Sequence, residues 1–437
     1  MRASGKHSES NMAVKDRSIG ALLRTLGPGL VTGAADDDPS GIATYSQGGA
    51  QFGFSMCWTM FLTTPFMIAI QLVSARIGAV TGHGLADNLM KTLPAALLYA
   101  LVGLLLIANT LNLAADIAAM GEALRLVAGG PVLVYVAIFG IFCLTAEILI
   151  PYHLYARYLK ALTLVLFAYV VAAFSIHIPW GEVLGATLVP RLSWTSDYML
   201  MLVAIFGTTI SPYMFFWQAS LEAEERRLRG KIRNGAATNI TKRLSGKETR
   251  RIEIDTTIGM VISNLVGFFI IVTTAATLHV HGKTHIGTAA EAAEALRPLA
   301  GPLTFLLFSL GIIGTGLLAV PVLAGSAAYA VAETFGWEGS LEMPARSAPG
   351  FYLIVAAGTI AGLLVALTPL DPIRMLFWSA VVNGVVAVPL MLGIMLVVTS
   401  RKLMGNHAAS PALSIFGWCA TALMAVVVAA MLLTGGS

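Results

Sequence analysis

Charge is the scarcest commodity in this sequence. Only 11% of its 437 residues are Asp, Glu, Lys or Arg, while 57% are hydrophobic. A soluble chain carries about a quarter charged residues, so a soluble globular protein is excluded and a polytopic membrane protein remains. Cysteine is nearly absent: Cys57, Cys143 and Cys419 lie far apart in apolar runs. That excludes a disulfide framework or a thiolate cluster and reads as three buried thiols. No Ser–His–Asp arrangement and no paired-His spacing occurs, so nothing supports an enzyme. A soluble domain is missing too. The longest polar insertion is Glu224 to Arg251, 28 residues.

What is present is a series of apolar runs about 20 residues long, the length needed to cross a bilayer as a helix. Their positions predict eleven spans near 26–50, 55–75, 95–124, 130–150, 157–178, 198–222, 253–278, 301–334, 350–369, 372–399 and 411–434. Cytoplasmic segments of membrane proteins collect Lys and Arg. With the N-terminus inside, 22 of the 27 basic residues fall in inside segments. The expectation is therefore N-terminus in and C-terminus out, in the cytoplasmic (inner) membrane. The polar stretch before residue 26 has no apolar core and reads as a cytoplasmic tail rather than a signal peptide. The net charge of +4 is this same bias, and no nucleic-acid partner is implied. Ten Lys and Arg crowd the 224–252 loop, which reads as a surface for anionic lipid headgroups. A regulatory or nucleotide-binding loop is the lesser alternative, since no Gly-rich phosphate motif accompanies it.

The most informative stretch is Gly33-Ala34-Ala35-Asp36-Asp37-Asp38-Pro39-Ser40-Gly41 inside the first span. One Asp at a membrane-helix centre costs about 2.5–3.5 kcal/mol even on the lenient insertion scale. Proline interrupts the helix and leaves carbonyls without donors. Such a break survives only where the freed groups line a cavity or bind something. Carboxylates beside loose carbonyls suit a hard metal cation, so the stretch reads as an ion site, and no cofactor is expected. The sixth span is also interrupted, at Ser211-Pro212. Each break opens a run of five spans, and one span follows. Broken helices at matching positions of two halves point to a transporter site at the midplane. Five is odd, so the second half enters the membrane inverted. The expected fold is all-α, a LeuT-type 5+5 inverted repeat with broken helices 1 and 6 plus one C-terminal helix. Its parts are a tail at 1–25, repeats at 26–178 and 198–399, and the last span within 411–437. The competing explanation is that both prolines merely kink their helices.

Asp38-Pro39-Ser40-Gly41 resembles the Asp-Pro-Gly-Asn signature of the Nramp divalent-metal transporters. Ser211-Pro212-Tyr213-Met214 falls where that family has Met-Pro-His-Asn, and Asp116-Ile117-Ala118-Ala119 is similar to its Asp-Ile-Ala-Glu. The resemblance implies a metal site of Asp38, Gly41, Thr208 and Ser211, with Asp38 as carboxylate ligand and Thr208 giving its backbone carbonyl. It also implies what is lost. Gly41 stands for a ligand Asn, and Ser211 for a Met whose soft thioether favours transition metals. A site that keeps hard oxygen and gains room for water suits magnesium, which dehydrates reluctantly. The sequence thus resembles the Nramp-related magnesium-transporter branch, with manganese a co-substrate. Proton-coupled relatives use a His in span 6 and an Asp–Glu pair in span 3. Here those positions hold Tyr213, Asp116 and Ala119, and neither Tyr nor Ala relays protons near neutral pH. Uptake need not be coupled: two charges across 100 mV gain about 4.6 kcal/mol.

Other residues carry open readings. Asp37 and Asp36, turned about 100° and 200° from Asp38 on a continuous helix, are expected as accessory oxygens rather than direct ligands. Glu147 in span 4 either lines a pathway or pairs with Arg157 or a backbone donor. Gln218 and Asn383 are pathway candidates, and Asn383 serves equally as an inter-helix hydrogen bond. Glu122 and Glu222 are read as interfacial. His279, His281 and His285 form either a peripheral metal site or a solvated loop. The main rival is a sodium- or proton-coupled carrier of amino-acid-like solutes. It would receive a carboxylate at an unwound span 1, where Asp36, Asp37 and Asp38 would repel it. A scaffold or sensor would not need both helix breaks. Oligomeric state is not legible.

Overall fold

In the computed structural model, residues 28–150, 164–234 and 245–435 are described. Fourteen helices of nine residues or more organise them: α1 Pro28–Asp36, α2 Pro39–Phe52, α3 Cys57–Thr81, α4 Ala95–Ala128, α5 Val132–Leu149, α6 Phe167–Ser175, α7 Trp180–Leu188, α8 Ser196–Thr209, α9 Pro212–Asn234, α10 Gly246–Thr277, α11 Thr304–Phe335, α12 Pro349–Ala366, α13 Pro372–Thr399 and α14 Pro411–Thr434. The expected tail at 1–25, the start of the expected fifth span and Arg157 lie outside the described residues.

Both expected breaks exist. α1 stops at Asp36 and α2 begins at Pro39, with Asp38 in extended backbone (φ −70°, ψ 169°) as its N-cap. Proline at the first helical position costs nothing, because that N–H has no partner anyway. The second break separates α8 from α9, which Pro212 opens in the same way. Between them, the long α4 and α11 pack side by side. Asn109 donates to the Leu323 carbonyl (2.9 Å) and to Ser326 (2.8 Å), and Ser309 donates to the Ala123 carbonyl (2.6 Å).

Length and apolarity alone give nine membrane-crossing stretches among the described residues, or ten if a bent pair counts as one. They do not give the expected eleven. One stretch, Pro39–Thr81, is 43 residues and about 65 Å long as a straight helix, twice a hydrocarbon core of about 30 Å. A 3₁₀ turn at Gly53–Met56 divides it, and Gly53 takes φ 59°, where a side chain would be strained. The bent pair is Leu164–Ser175 with Trp180–Leu188, turned by 119°. The expected fifth span therefore ends as a helix at Ser175 and doubles back.

α1 is seated on α10 through glycine. A methyl group at Gly29 would lie 2.6 Å from the Thr256 nitrogen, and one at Gly33 would strike the backbone of Gly259. The Gly29 N–H crosses the seam to Asp255 (2.8 Å), and Thr32 ties α1 to α9 by donating to Gln218 (2.5 Å). Overpacking such a contact costs about 1–3 kcal/mol. Gly33→Leu should dislodge α1 without unfolding the bundle. Thiol labelling of a cysteine placed at Thr32 should rise about tenfold in that background, and equal labelling in both would show that the seam does not hold α1.

Other assignments change. Cys57 and Cys143 are buried as expected, but Cys419 on α14 is exposed. Glu222 is covered by protein: it is 2% exposed and pairs with Arg251 at 3.1 Å, which also reaches Glu225 at 2.8 Å. Arg226 donates to the Ala79 and Val80 carbonyls, and Arg227 to that of Gly82 (3.0 Å), at the end of α3. Part of the basic 224–252 segment is thus helix, and these arginines satisfy a buried carboxylate and a helix C-terminus rather than facing only headgroups. Glu122 is half-buried and pairs with Arg125.

Candidate metal centre

Asp38 is 2% exposed and every hydrogen bond it accepts comes from a neutral donor. Its Oδ1 takes the Gly41 N–H at 2.7 Å, the side-chain cap of α2. Its Oδ2 takes the Asn112 amide at 3.0 Å and the Tyr213 hydroxyl at 3.3 Å. The ion pairs among the described residues do not involve Asp36, Asp37 or Asp38. The carboxylate faces the positive end of α2 but has no protein cation beside it.

The two breaks adjoin. A Cβ at Gly41 would meet Thr208 Oγ1 at 3.4 Å and the Asp36 carbonyl at 3.5 Å, ordinary contact distances. Thr208 and Ser211 are buried there. The Thr208 carbonyl is not loose, however. Ser211 turns its hydroxyl back onto the carbonyls of Gly207 (2.9 Å) and Thr208 (2.8 Å). A carbonyl oxygen keeps a second lone pair, so this bond leaves the Thr208 oxygen able to take a cation.

The three aspartates do not lie on one continuous helix as expected: only Asp36 is helical. With the helix broken after it, Asp36 and Asp37 both reach one hydroxyl: Ser263 of α10 donates to Asp36 Oδ2 (2.5 Å) and to Asp37 Oδ1 (3.1 Å). A single hydroxyl proton serves one of them at a time. Asp116, fully buried on α4, has Asp38 and the Ser40 backbone as polar neighbours. Gln218 is occupied by Thr32 on the α1 side, and the Asn383 amide oxygen is buried on α13 without a partner among the described residues.

Sequence reasoning missed Asn112, Ser379 and Ser263. A signal existed for the first: Asn109, Asn112 and Asp116 fall at i, i+3 and i+7 on an otherwise apolar helix, which is one face. Ser379 and Asn383 repeat the pattern at i, i+4 on α13. Ser263 had no such flag.

Glu147 stands apart from this centre. It is 6% exposed and accepts from Thr359 of α12 at 2.9 Å. The histidines do not converge: His279 contacts the Ala50 carbonyl (2.8 Å) and His281 the Thr277 carbonyl (2.6 Å). His285 instead borders a cavity of about 430 Å³ with Gln47, Gln51, Asp197, Arg374 and Trp378. Its floor includes Ala43, five residues or about 7.5 Å along α2 from Asp38. Among the described residues no three His, Cys, Asp or Glu side chains form a metal cluster. Asp38 with the neutral oxygens around it suits a hard cation that keeps part of its water.

Over residues 29–434 the chain matches the family model described as natural resistance-associated macrophage protein-like (Nramp). A divalent metal cation transporter MntH of Deinococcus radiodurans is 26% identical over 428 residues, covering 95% of this chain and 90% of the relative. Another, from Pectobacterium carotovorum, is 26% identical over 396 residues and 88% of each chain. A solved manganese transporter of Eremococcus coleocola superposes with a TM-score of 0.69 at 17% identity, covering 96% of this chain and 89% of that one. The nucleobase-cation-symport-1 family transporter Mhp1 does so at 0.55 and 13% identity, covering 94% and 92%. At these identities the two structures speak to the fold alone, and the fold is the expected LeuT type.

Proposed function

The chain belongs to the Nramp family, and from that premise we propose that it carries divalent cations, magnesium or manganese, through a site between its two helix breaks. It is a multi-pass membrane transporter and not an enzyme. The observation that carries the reading is Asp38: a buried carboxylate, hydrogen-bonded by the neutral Gly41, Asn112 and Tyr213, and in no ion pair among the described residues. A buried charge left unpaired costs several kcal/mol, and a cation passing between the breaks supplies the missing partner. An amino-acid-like substrate would bring a further carboxylate to Asp36, Asp37 and Asp38, which disfavours it.

Asp38, Gly41, Thr208 and Ser211 form the proposed ion site, with Asp36, Asp37, Asp116 and Tyr213 around it and Gln218 and Asn383 along the pathway. Glu147 belongs to the α5–α12 contact instead. The absence of a thioether at Ser211 and of any side chain at Gly41 supports a partly hydrated ion. Tyr213 and Ala119 supply no group that titrates near neutrality, which supports uptake driven by membrane potential alone. Splitting Pro39–Thr81 at its turn, and counting the bent pair once, supports eleven passes. The Lys and Arg bias supports an N-terminus inside the cytoplasmic membrane and a C-terminus outside. In that orientation the 430 Å³ cavity opens outward while α1 closes the inner half. The exposed part of the 224–252 segment then meets anionic headgroups.

Proteoliposomes with an internal pH dye, given magnesium, manganese, calcium or cadmium at imposed potential, test this. We expect magnesium and manganese uptake that grows with interior-negative potential, is untouched by amino acids, and brings no acidification. Acidification that follows the metal and disappears in Asp116→Asn would mean that a proton route survives through that carboxylate.

A further inference from the structure

Asp38 brings one carboxylate to the site, Gly41 has no side chain, and the Ser211 hydroxyl is turned back on its own helix. A hard cation losing part of its water needs further neutral oxygens. We propose that Asn112 is itself a ligand of the transported cation, reached by reversal of its side-chain amide, and that Ser379 is the hydroxyl that permits the reversal. This rests on the ion site proposed above and adds a ligand to it.

Asn112 points its NH₂ at Asp38 Oδ2 (3.0 Å) and its oxygen at Ser379 Oγ (2.8 Å). An amide has a donor end and an acceptor end of nearly the same shape. Turned about its last torsion, it presents the oxygen where the nitrogen was. Both neighbours tolerate the exchange. Ser379 Oγ accepts as well as donates, and its proton has a second acceptor in the Leu376 carbonyl, also at 2.8 Å. Asp38, having lost a donor, gains the cation. Tyr213 has the same freedom, since its hydroxyl reaches the Ala35 carbonyl at 3.4 Å as well as Asp38.

The spacing fits without moving the backbone. Two oxygens 3.0 Å apart are neighbouring corners of an octahedron whose metal–oxygen bonds are about 2.1 Å, the length magnesium demands; calcium bonds of about 2.4 Å would need about 3.4 Å. Asn112 is fully buried between α2 and α13, so its amide cannot be replaced by a swinging surface group. In one orientation the Asn112 amide hydrogen-bonds Asp38 and Ser379, and in the other the same two side chains serve the cation.

Calorimetric titration of the purified full chain with Mg²⁺ and Mn²⁺ tests the proposal. Asn112→Ala should weaken both about tenfold or more, the scale of losing a group at a metal site. Asn112→Asp keeps an oxygen that, once ionised, cannot donate to Asp38, and it adds ligand charge, so it should bind at least as tightly as the parent. Gly41→Asn added to Asn112→Ala places a neutral amide between the breaks and should recover most of the loss. If Asn112 only holds Asp38 in place, Asn112→Asp must be as weak as Asn112→Ala, because two carboxylates then oppose each other. That result overturns the proposal, as does Asn112→Ala binding like the parent. A parent that binds neither cation overturns the ion-site reading, and this one falls with it.

Discussion

Asp38→Asn should leave a folded protein whose metal transport is reduced at least about 100-fold. Asparagine is as good a helix N-cap as aspartate, so the bond from the Gly41 N–H at 2.7 Å and the start of α2 survive. What goes is the charge. Removing one partner of a buried ion pair costs about 3–5 kcal/mol, and about 2.7 kcal/mol is already two decades in rate. The measurement is magnesium and manganese uptake in proteoliposomes, beside the thermal melt and gel-filtration profile of the variant. Parent rates in a well-folded Asp38→Asn protein would remove the ion from this break.

The second large effect is on selectivity. Ser211→Met with Gly41→Asn should raise competition by cadmium against magnesium about tenfold or more, and should shift uptake toward manganese and iron. The geometry adds a reason. Ser211 now occupies the Gly207 and Thr208 carbonyls with its own hydroxyl, so methionine both introduces a soft thioether and releases those oxygens. At Gly41 a Cβ meets its neighbours at 3.4–3.5 Å, so the first carbon of the new side chain is accommodated at ordinary contact distances. Unchanged cadmium competition in the double variant would count against Ser211 and Gly41 lining the site.

How much of this was legible beforehand differs by element. Both helix breaks were, because a proline after Asp38 and another after Ser211 act on the backbone locally, whatever surrounds them. The membrane class and the inverted-repeat architecture were legible for the same kind of reason. Apolar length, the matching place of the breaks and the odd number of spans between them are properties of the chain alone. The pairing of side chains was not. Asp36 and Asp37 share Ser263 only because the helix stops between them and α10 lies alongside. Glu222 is buried because Arg251 returns to it from a segment that looks like a solvated basic loop. Asn112 was visible as a polar stripe with Asn109 and Asp116, but nothing in its own helix says that Asp38 lies 3.0 Å away. A break is encoded by the residues at the break. A partner is decided by which helix packs against it, and that depends on close approaches such as Gly33 on Gly259, which form only when the whole bundle is assembled.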